Sequence, residues 1–170
     1  MYFVTMATVG WIDIFTRTEL KHIIIDSLRY CQMEKGLVIN AWCLMTSHLH
    51  MIIRTDKDPL SGILRDFKKF TANKIIQTID SIHESRRDWM LELFGEVADQ
   101  LKRIGNYKIW QDGNHPELLM TAKFTRQKLD YIHDNPVAEE IVDEPEDYLY
   151  SSARDYYSDR KGYLAIEFIE

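Results

Sequence analysis

Residues 2–9 alternate between apolar and other β-forming side chains, a period-two pattern that predicts a first strand. From Glu19 to Lys35 the period changes. Leu20, Ile23, Ile24, Leu28 and Cys31 recur at helical spacing, with Thr16 or Thr18 placed to cap the start and Gly36 the end. Leu37–Leu44 and His48–Thr55 read as two further strands, joined by the turn Met45–Ser47 into a hairpin. Pro59 opens a longer helix carried by Leu60, Ile63, Leu64, Phe67, Phe70 and Ile75, running to about Ile79. Residues 80–106 carry a weaker pattern, in which Trp89–Lys102 is predicted as a helix. Tyr107–Trp110 and Glu117–Met120 are predicted as short strands, and Thr121–Asn135 as a helix stopped by Pro136. The remainder reads as irregular with a short helical piece. This order predicts an α+β fold with helices packed on an antiparallel sheet, of which the split βαβ, ferredoxin-like sheet is one form.

Composition narrows the class. A chain of 170 residues suits one domain, here residues 1–157, followed by a tail at 158–170. At 45% hydrophobic and 12% aromatic it can build a packed core. No stretch reaches the roughly 20 apolar residues needed to span a bilayer, and the N-terminus lacks a basic leader with a long apolar run. A soluble cytoplasmic protein is therefore expected. Cys31 and Cys43 form neither a disulfide framework nor a CxxC knuckle, and are read as buried free thiols. The net charge of -6 argues against nucleic acid, whose binding is dominated by phosphate neutralisation. The distribution softens that argument: Glu139–Asp147 holds six acidic residues and no basic one, whereas Arg65–Lys108 is richer in Lys and Arg. A basic face can coexist with an acidic total.

Two segments carry candidate chemistry. His48 and His50 are two apart on a predicted strand, so both imidazoles point to one face and can share a cation. The bland alternative is two ordinary histidines on a half-exposed strand; a catalytic centre needs at least one more ligand and open positions for substrate. In the second segment, Leu129–Val137, Tyr131 and Asn135 stand at i and i+4 of a helix and share a face. Asn offers a carbonyl oxygen to a hard cation, and a phenol one turn away would then lie beside that cation as a nucleophile. The alternative is a half-buried packing tyrosine and a helix-ending asparagine. His133 and Asp134 fall on other faces and are assigned structural or capping roles.

Read together, these segments resemble the single-tyrosine HUH transposases, and most closely the REP-associated tyrosine transposase group. The resemblance rests on Ser47–Ile53 preceded by Ile39–Trp42, on Leu64–Thr71, on Ile109–His115, on Tyr131–Val137 and on Pro145–Ser152, in that order, from about Tyr2 to Tyr157. It implies a ferredoxin-like, HUH nuclease-type fold. It implies Mg or Mn held by His48, His50 and the amide of Asn135, and Tyr131 as the nucleophile. That tyrosine would attack a DNA phosphate, keep the 5′ side as a phosphotyrosine and release a 3′-OH. The implied substrate is single-stranded DNA near hairpins or palindromes, and the implied working form is a homodimer, with a monomer also open. The chain departs from the pattern in its acidity and in the long segment 80–106. Arg65, Lys68, Lys69 and Lys74 on the second helix are candidates to track a phosphate backbone, each also readable as a solvated helix residue. Trp110 and His115 are candidates to stack on or polarise DNA, with a core role the alternative for Trp110; Arg86 and Arg87 are weaker candidates. The rival functions are a metal-dependent hydrolase using activated water, a non-catalytic or domesticated single-stranded-DNA-binding relative, and a plain structural domain.

Overall fold

The computed structural model describes residues 1–101 and 107–169. Strand β1 (Tyr2–Ala7) leads through two short 3-10 turns into α1 (Thr18–Lys35), then the hairpin β2 (Leu37–Leu44) and β3 (His48–Thr55), and α2 (Leu60–Ser81). Helix α3 (Arg87–Leu101), a two-residue β4 (Glu117–Leu118), α4 (Ala122–Ala138) and a short α5 (Ala153–Tyr157) follow. The strands form one sheet in the order β2-β3-β1-β4, antiparallel throughout. That is the ferredoxin-like order, so the α+β fold expected from the periodicity is the one observed.

Register sorts the side chains onto two faces. Thr5 pairs with His50, Ala7 with His48, and Phe3 with Ile52, so these residues share one face. Val4, Met6, Leu49, Met51 and Ile53 take the other, each fully buried. Helices α1 and α2 pack on each other, α1 also on β2, and their apolar stripes join the same core cluster. Gly36 closes α1 in the left-handed region at φ 70°, where a Cβ would meet Lys57 Cβ at 2.5 Å.

β1, which β4 flanks only at Tyr2 and Phe3, and the outer strand β2 have further partners. Along β1, Thr5 N donates to Asn114 O (3.0 Å), Gln111 N to Ala7 O (2.9 Å) and Val9 N to Ile109 O (2.7 Å). Along β2, Leu44 N donates to Tyr150 O and Ser152 N to Trp42 O, both at 2.9 Å, and Glu167 N donates to Ile39 O at 3.0 Å.

Four expectations change. Tyr107–Trp110 forms a single bridge, Thr8 to Trp110, instead of a strand. The strand expected at Glu117–Met120 is only two residues long. Gly113 (φ 76°) and His115 (φ 43°) take left-handed conformations between the two segments, which interrupts any continuous strand there. Helix α4 does not stop at Asn135 but runs through Pro136 to Ala138, with Glu139 N closing on Asn135 O at 3.1 Å. A proline supplies a helical φ and costs only its own N–H and some crowding of the preceding turn. Helix α3 begins at Arg87, earlier than Trp89, and its predicted end at Lys102 lies outside the described residues. The segment before it is pinned by the buried Glu84, which accepts from Arg17 at 2.8 Å and from Arg86. The Arg17 bond, with help from Arg86, holds the Glu84 carboxyl down to about 2.

His133 ties α4 to the C-terminal segment. Its imidazole, fully buried, lies 2.8 Å from Ser152 Oγ and 3.0 Å from Tyr157 Oη, and Ser152 Oγ also accepts from Trp42 N at 3.0 Å. Burial lowers its pKa to about 4. The folded protein therefore binds fewer protons than the unfolded chain between about pH 6.5 and pH 4, and stability rises with pH across that window. Urea unfolding of the wild type is expected to lose up to about 3 kcal/mol from this group as pH falls from 6.5 to 4. The loss attributable to His133 should be absent from His133→Gln; equal pH slopes in both proteins would refute the assignment.

Candidate active site

Strand β3 hands His48 and His50 to the face left free by α1 and α2, and α4 crosses that face. The two imidazole centroids are 4.6 Å apart. Tyr131 is half exposed, its ring edge-on to His50 at 5.2 Å and to Phe3 at 6.1 Å. Asn135, one helical turn further, reaches the neighbourhood of His48. The four residues singled out from two distant segments thus converge on one spot.

The polar atoms there are unevenly satisfied. His50 Nδ1 lies 2.8 Å from Thr5 Oγ1 and His48 Nδ1 lies 3.1 Å from Ser47 Oγ. With each Nδ1 protonated and donating, each Nε2 keeps its lone pair. His50 Nε2 and Asn135 Oδ1 are buried and have no hydrogen-bond partner. Leaving such acceptors unpaired is costly, so two together mark a place where a donor or a cation fits. Burial lowers the His50 pKa to about 3, helped by His48 and Lys128, and burial also lowers that of His48. Both rings are therefore neutral at pH 7, the form that ligates metal. Among the described residues there is no cluster of three His, Cys, Asp or Glu side chains able to hold a metal. A cation here would be held by two imidazoles and one amide oxygen, leaving positions for substrate oxygens.

A small cavity of about 240 Å³ opens beside this group, lined by His50, Tyr131, Thr5, Trp11, Asp112 and His115 among others. Trp11 and Asp112 were not singled out from the sequence; only the loop carrying Asp112 was noted. Trp11 lies edge-on to His48 at 5.3 Å. Lys128, one turn before Tyr131, sits 4.3 Å above the Phe3 ring and pairs with Glu117 at 2.6 Å.

The other candidates scatter. His115 is exposed on the cavity rim. Trp110 is 4% exposed, and its indole N–H donates to Thr71 Oγ1 at 2.9 Å, so it packs in the core and offers no ring face to DNA. Lys68 Nζ donates to Gln111 O at 2.9 Å and to Gly113 O, tethering the cavity loop; burial lowers its pKa to about 8. Arg65 is exposed beside Asp66, and Lys69 and Lys74 are exposed on α2. Arg86 and Arg87 are engaged in ion pairs with Asp13 and Glu84, and with Asp80 and Asp88, respectively.

The whole fold has a solved counterpart. A REP-associated tyrosine transposase bound to a REP hairpin superposes over 99% of this chain and 87% of its own, with a TM-score of 0.58 and 21% sequence identity. A protein described as a candidate transposase from Deinococcus radiodurans R1 aligns over 78% of this chain and 88% of its own, with a TM-score of 0.49 and 16% identity. No family model and no curated protein matches the sequence. The chain thus shares the fold of that REP-associated tyrosine transposase. No helix among the described residues is long and apolar enough to cross a membrane.

Lys68 and Lys69 can be told apart by stability. Lys68→Ala removes a charged donor from two carbonyls and is expected to cost about 2 kcal/mol in urea unfolding. Lys69→Ala is expected to change stability by less than about 0.5 kcal/mol. Equal, negligible effects would mean that Lys68 does not hold the loop.

Proposed function

We propose that this chain is a metal-dependent transposase-like enzyme that cuts and rejoins single-stranded DNA through a tyrosine ester. One observation carries the reading: Tyr131 stands against His50 at 5.2 Å in a site where His50 Nε2 and Asn135 Oδ1 are buried without partners. The fold shared with a transposase bound to a DNA hairpin supports it, as does the order of motifs along the chain.

In this reading His48, His50 and Asn135 hold Mg or Mn. The ion would polarise a bound phosphate and offset the charge that develops as the ester exchanges. Tyr131 gives up its phenolic proton to solvent, and its oxygen forms a bond to phosphorus. The bond from phosphorus to the DNA 3′ oxygen breaks, and that oxygen takes a proton to become a 3′-OH. The 5′ side stays on Tyr131 as a phosphotyrosine, and attack by another 3′-OH reverses the step. One ester replaces another, so no nucleotide cofactor is required. Thr5 and Ser47 fix the imidazole orientations, as partners of ligating histidines do. Arg65, Lys69 and Lys74 on α2 are the exposed cations of the candidate set for the DNA backbone, and His115 reaches the strand near the cut.

The mechanism is tested by incubating the protein with labelled single-stranded hairpin DNA and Mn, followed by a denaturing gel. A covalent protein–DNA band is expected, absent with EDTA, with Tyr131→Phe and with His50→Ala. Cleavage that persists in Tyr131→Phe without a band would move the reading to metal-activated water.

Metal binding is tested separately by calorimetry. Mn is expected to bind the wild type, to bind Thr5→Val about 10- to 100-fold more weakly, and not to bind His50→Ala. Equal affinity in all three would remove the metal from this site.

A further inference from the structure

We propose that Trp11 is the stacking platform of a slot that takes one unpaired nucleobase of the DNA strand beside Tyr131. The inference rests on the DNA-processing reading above and adds a ligand subsite to it.

Trp11 is 56% exposed, an unusual position for the largest apolar side chain. It also has φ 56°, a left-handed conformation that a residue with a bulky side chain rarely adopts. Gly10 before it has φ 62°, and the two successive left-handed residues turn the chain sharply after β1. Burial does not explain the conformation, because the ring is mostly outside. The turn is held rigidly from beneath: Trp11 N donates to Thr8 O at 3.0 Å, and Thr8 Oγ1 lies 2.8 Å from Ile12 O and 3.0 Å from Ser47 O. Backbone strain maintained by surrounding bonds, with an exposed ring as its product, points to a role for that ring.

The second observation is where the ring stands. Among the described residues three non-glycine positions have left-handed φ: Trp11, His115 and Glu140. Two of them, Trp11 and His115, line the same cavity, together with His50 and Tyr131. Its volume of about 240 Å³ suits one base and excludes a duplex. Asp112 also lines it, with its carboxylate paired to Lys108 at 2.7 Å. A carboxylate has further lone pairs with which to accept from the N–H groups of a neutral base. Stacking on an aromatic ring tolerates any base.

The test uses the full chain in EDTA, so that binding is read without cleavage. Fluorescence anisotropy would follow labelled hexanucleotides of thymine, adenine or cytosine, and a hexamer of abasic sugars carrying the same phosphates. The wild type is expected to bind the base-bearing hexamers about tenfold more tightly than the abasic one. Trp11→Ala should lose about tenfold on the base-bearing hexamers and nothing on the abasic one, and Trp11→Phe should recover most of the loss. Trp11→Gly, which suits the left-handed backbone, should lose the same affinity while melting within a few degrees of the wild type. Three results would overturn the slot: equal affinity of wild type and Trp11→Ala for the base-bearing hexamers, equal losses on both kinds of hexamer, or no preference of the wild type for bases. If Trp11-dependent binding holds but no tyrosine adduct forms with Mn, the transesterification reading fails and the slot stands. If the adduct forms but binding ignores Trp11, the slot fails and the reading stands.

Discussion

A strand inside a sheet must deliver its side chains alternately to two faces. β3 sits between β2 and β1, so both of its edges are hydrogen-bonded and its register is fixed from two sides. Leu49, Met51 and Ile53 go to the core beneath α1 and α2; His48 and His50 go to the face crossed by α4. A shift of one residue in the β1–β3 pairing would put two imidazoles into the hydrocarbon core and expel three aliphatic side chains from it. The apolar half of the strand therefore fixes the position of the polar half, and the site inherits its precision from the core.

The helix completes what the strand begins. Leu129, Ile132 and Pro136 bury one side of α4, and the His133–Ser152 contact anchors it to the segment running beside β2. Tyr131 and Asn135 lie one turn apart on the remaining side, about 6 Å along the axis. Their spacing belongs to the helix alone, while their distance from the histidines depends on how the helix is seated. Tyr131 and Asn135 consequently respond together to any change in that seat.

Much of this was legible in the sequence because it follows from short-range periodicity. The strand pair β2–β3, the helices α1 and α2, the shared face of His48 and His50 and the i, i+4 relation of Tyr131 to Asn135 need only local geometry. What was not legible depends on contacts between distant residues. Trp110 looks like a candidate for base stacking until Thr71, 39 positions away, is seen to receive its indole proton. Lys68 looks like a member of a basic stripe until its ammonium is found on the carbonyls of Gln111 and Gly113. Arg86 is committed to Asp13 and the buried Glu84. Trp11 carries no periodic signal; the only local hint is the glycine before it. Helix α4 outlasts Pro136 because the next residues regain a bond to Asn135, which the general preference against proline does not foresee.

The partners of β1 and β2 have a consequence for how the molecule behaves in a crowd. An unpaired strand edge is a template on which other chains add, and small sheets are especially exposed to this. Here β1 is shielded by β4 and the 109–114 loop, and β2 by backbone bonds from residues 150, 152 and 167. Strand addition to β1 and to β2 is thereby obstructed. The helical surfaces, by contrast, carry the exposed apolar side chains of Tyr30, Met33 and Phe70. Cutting the chain before Glu167 would uncover Ile39 on β2 and turn a guarded margin into an adhesive one.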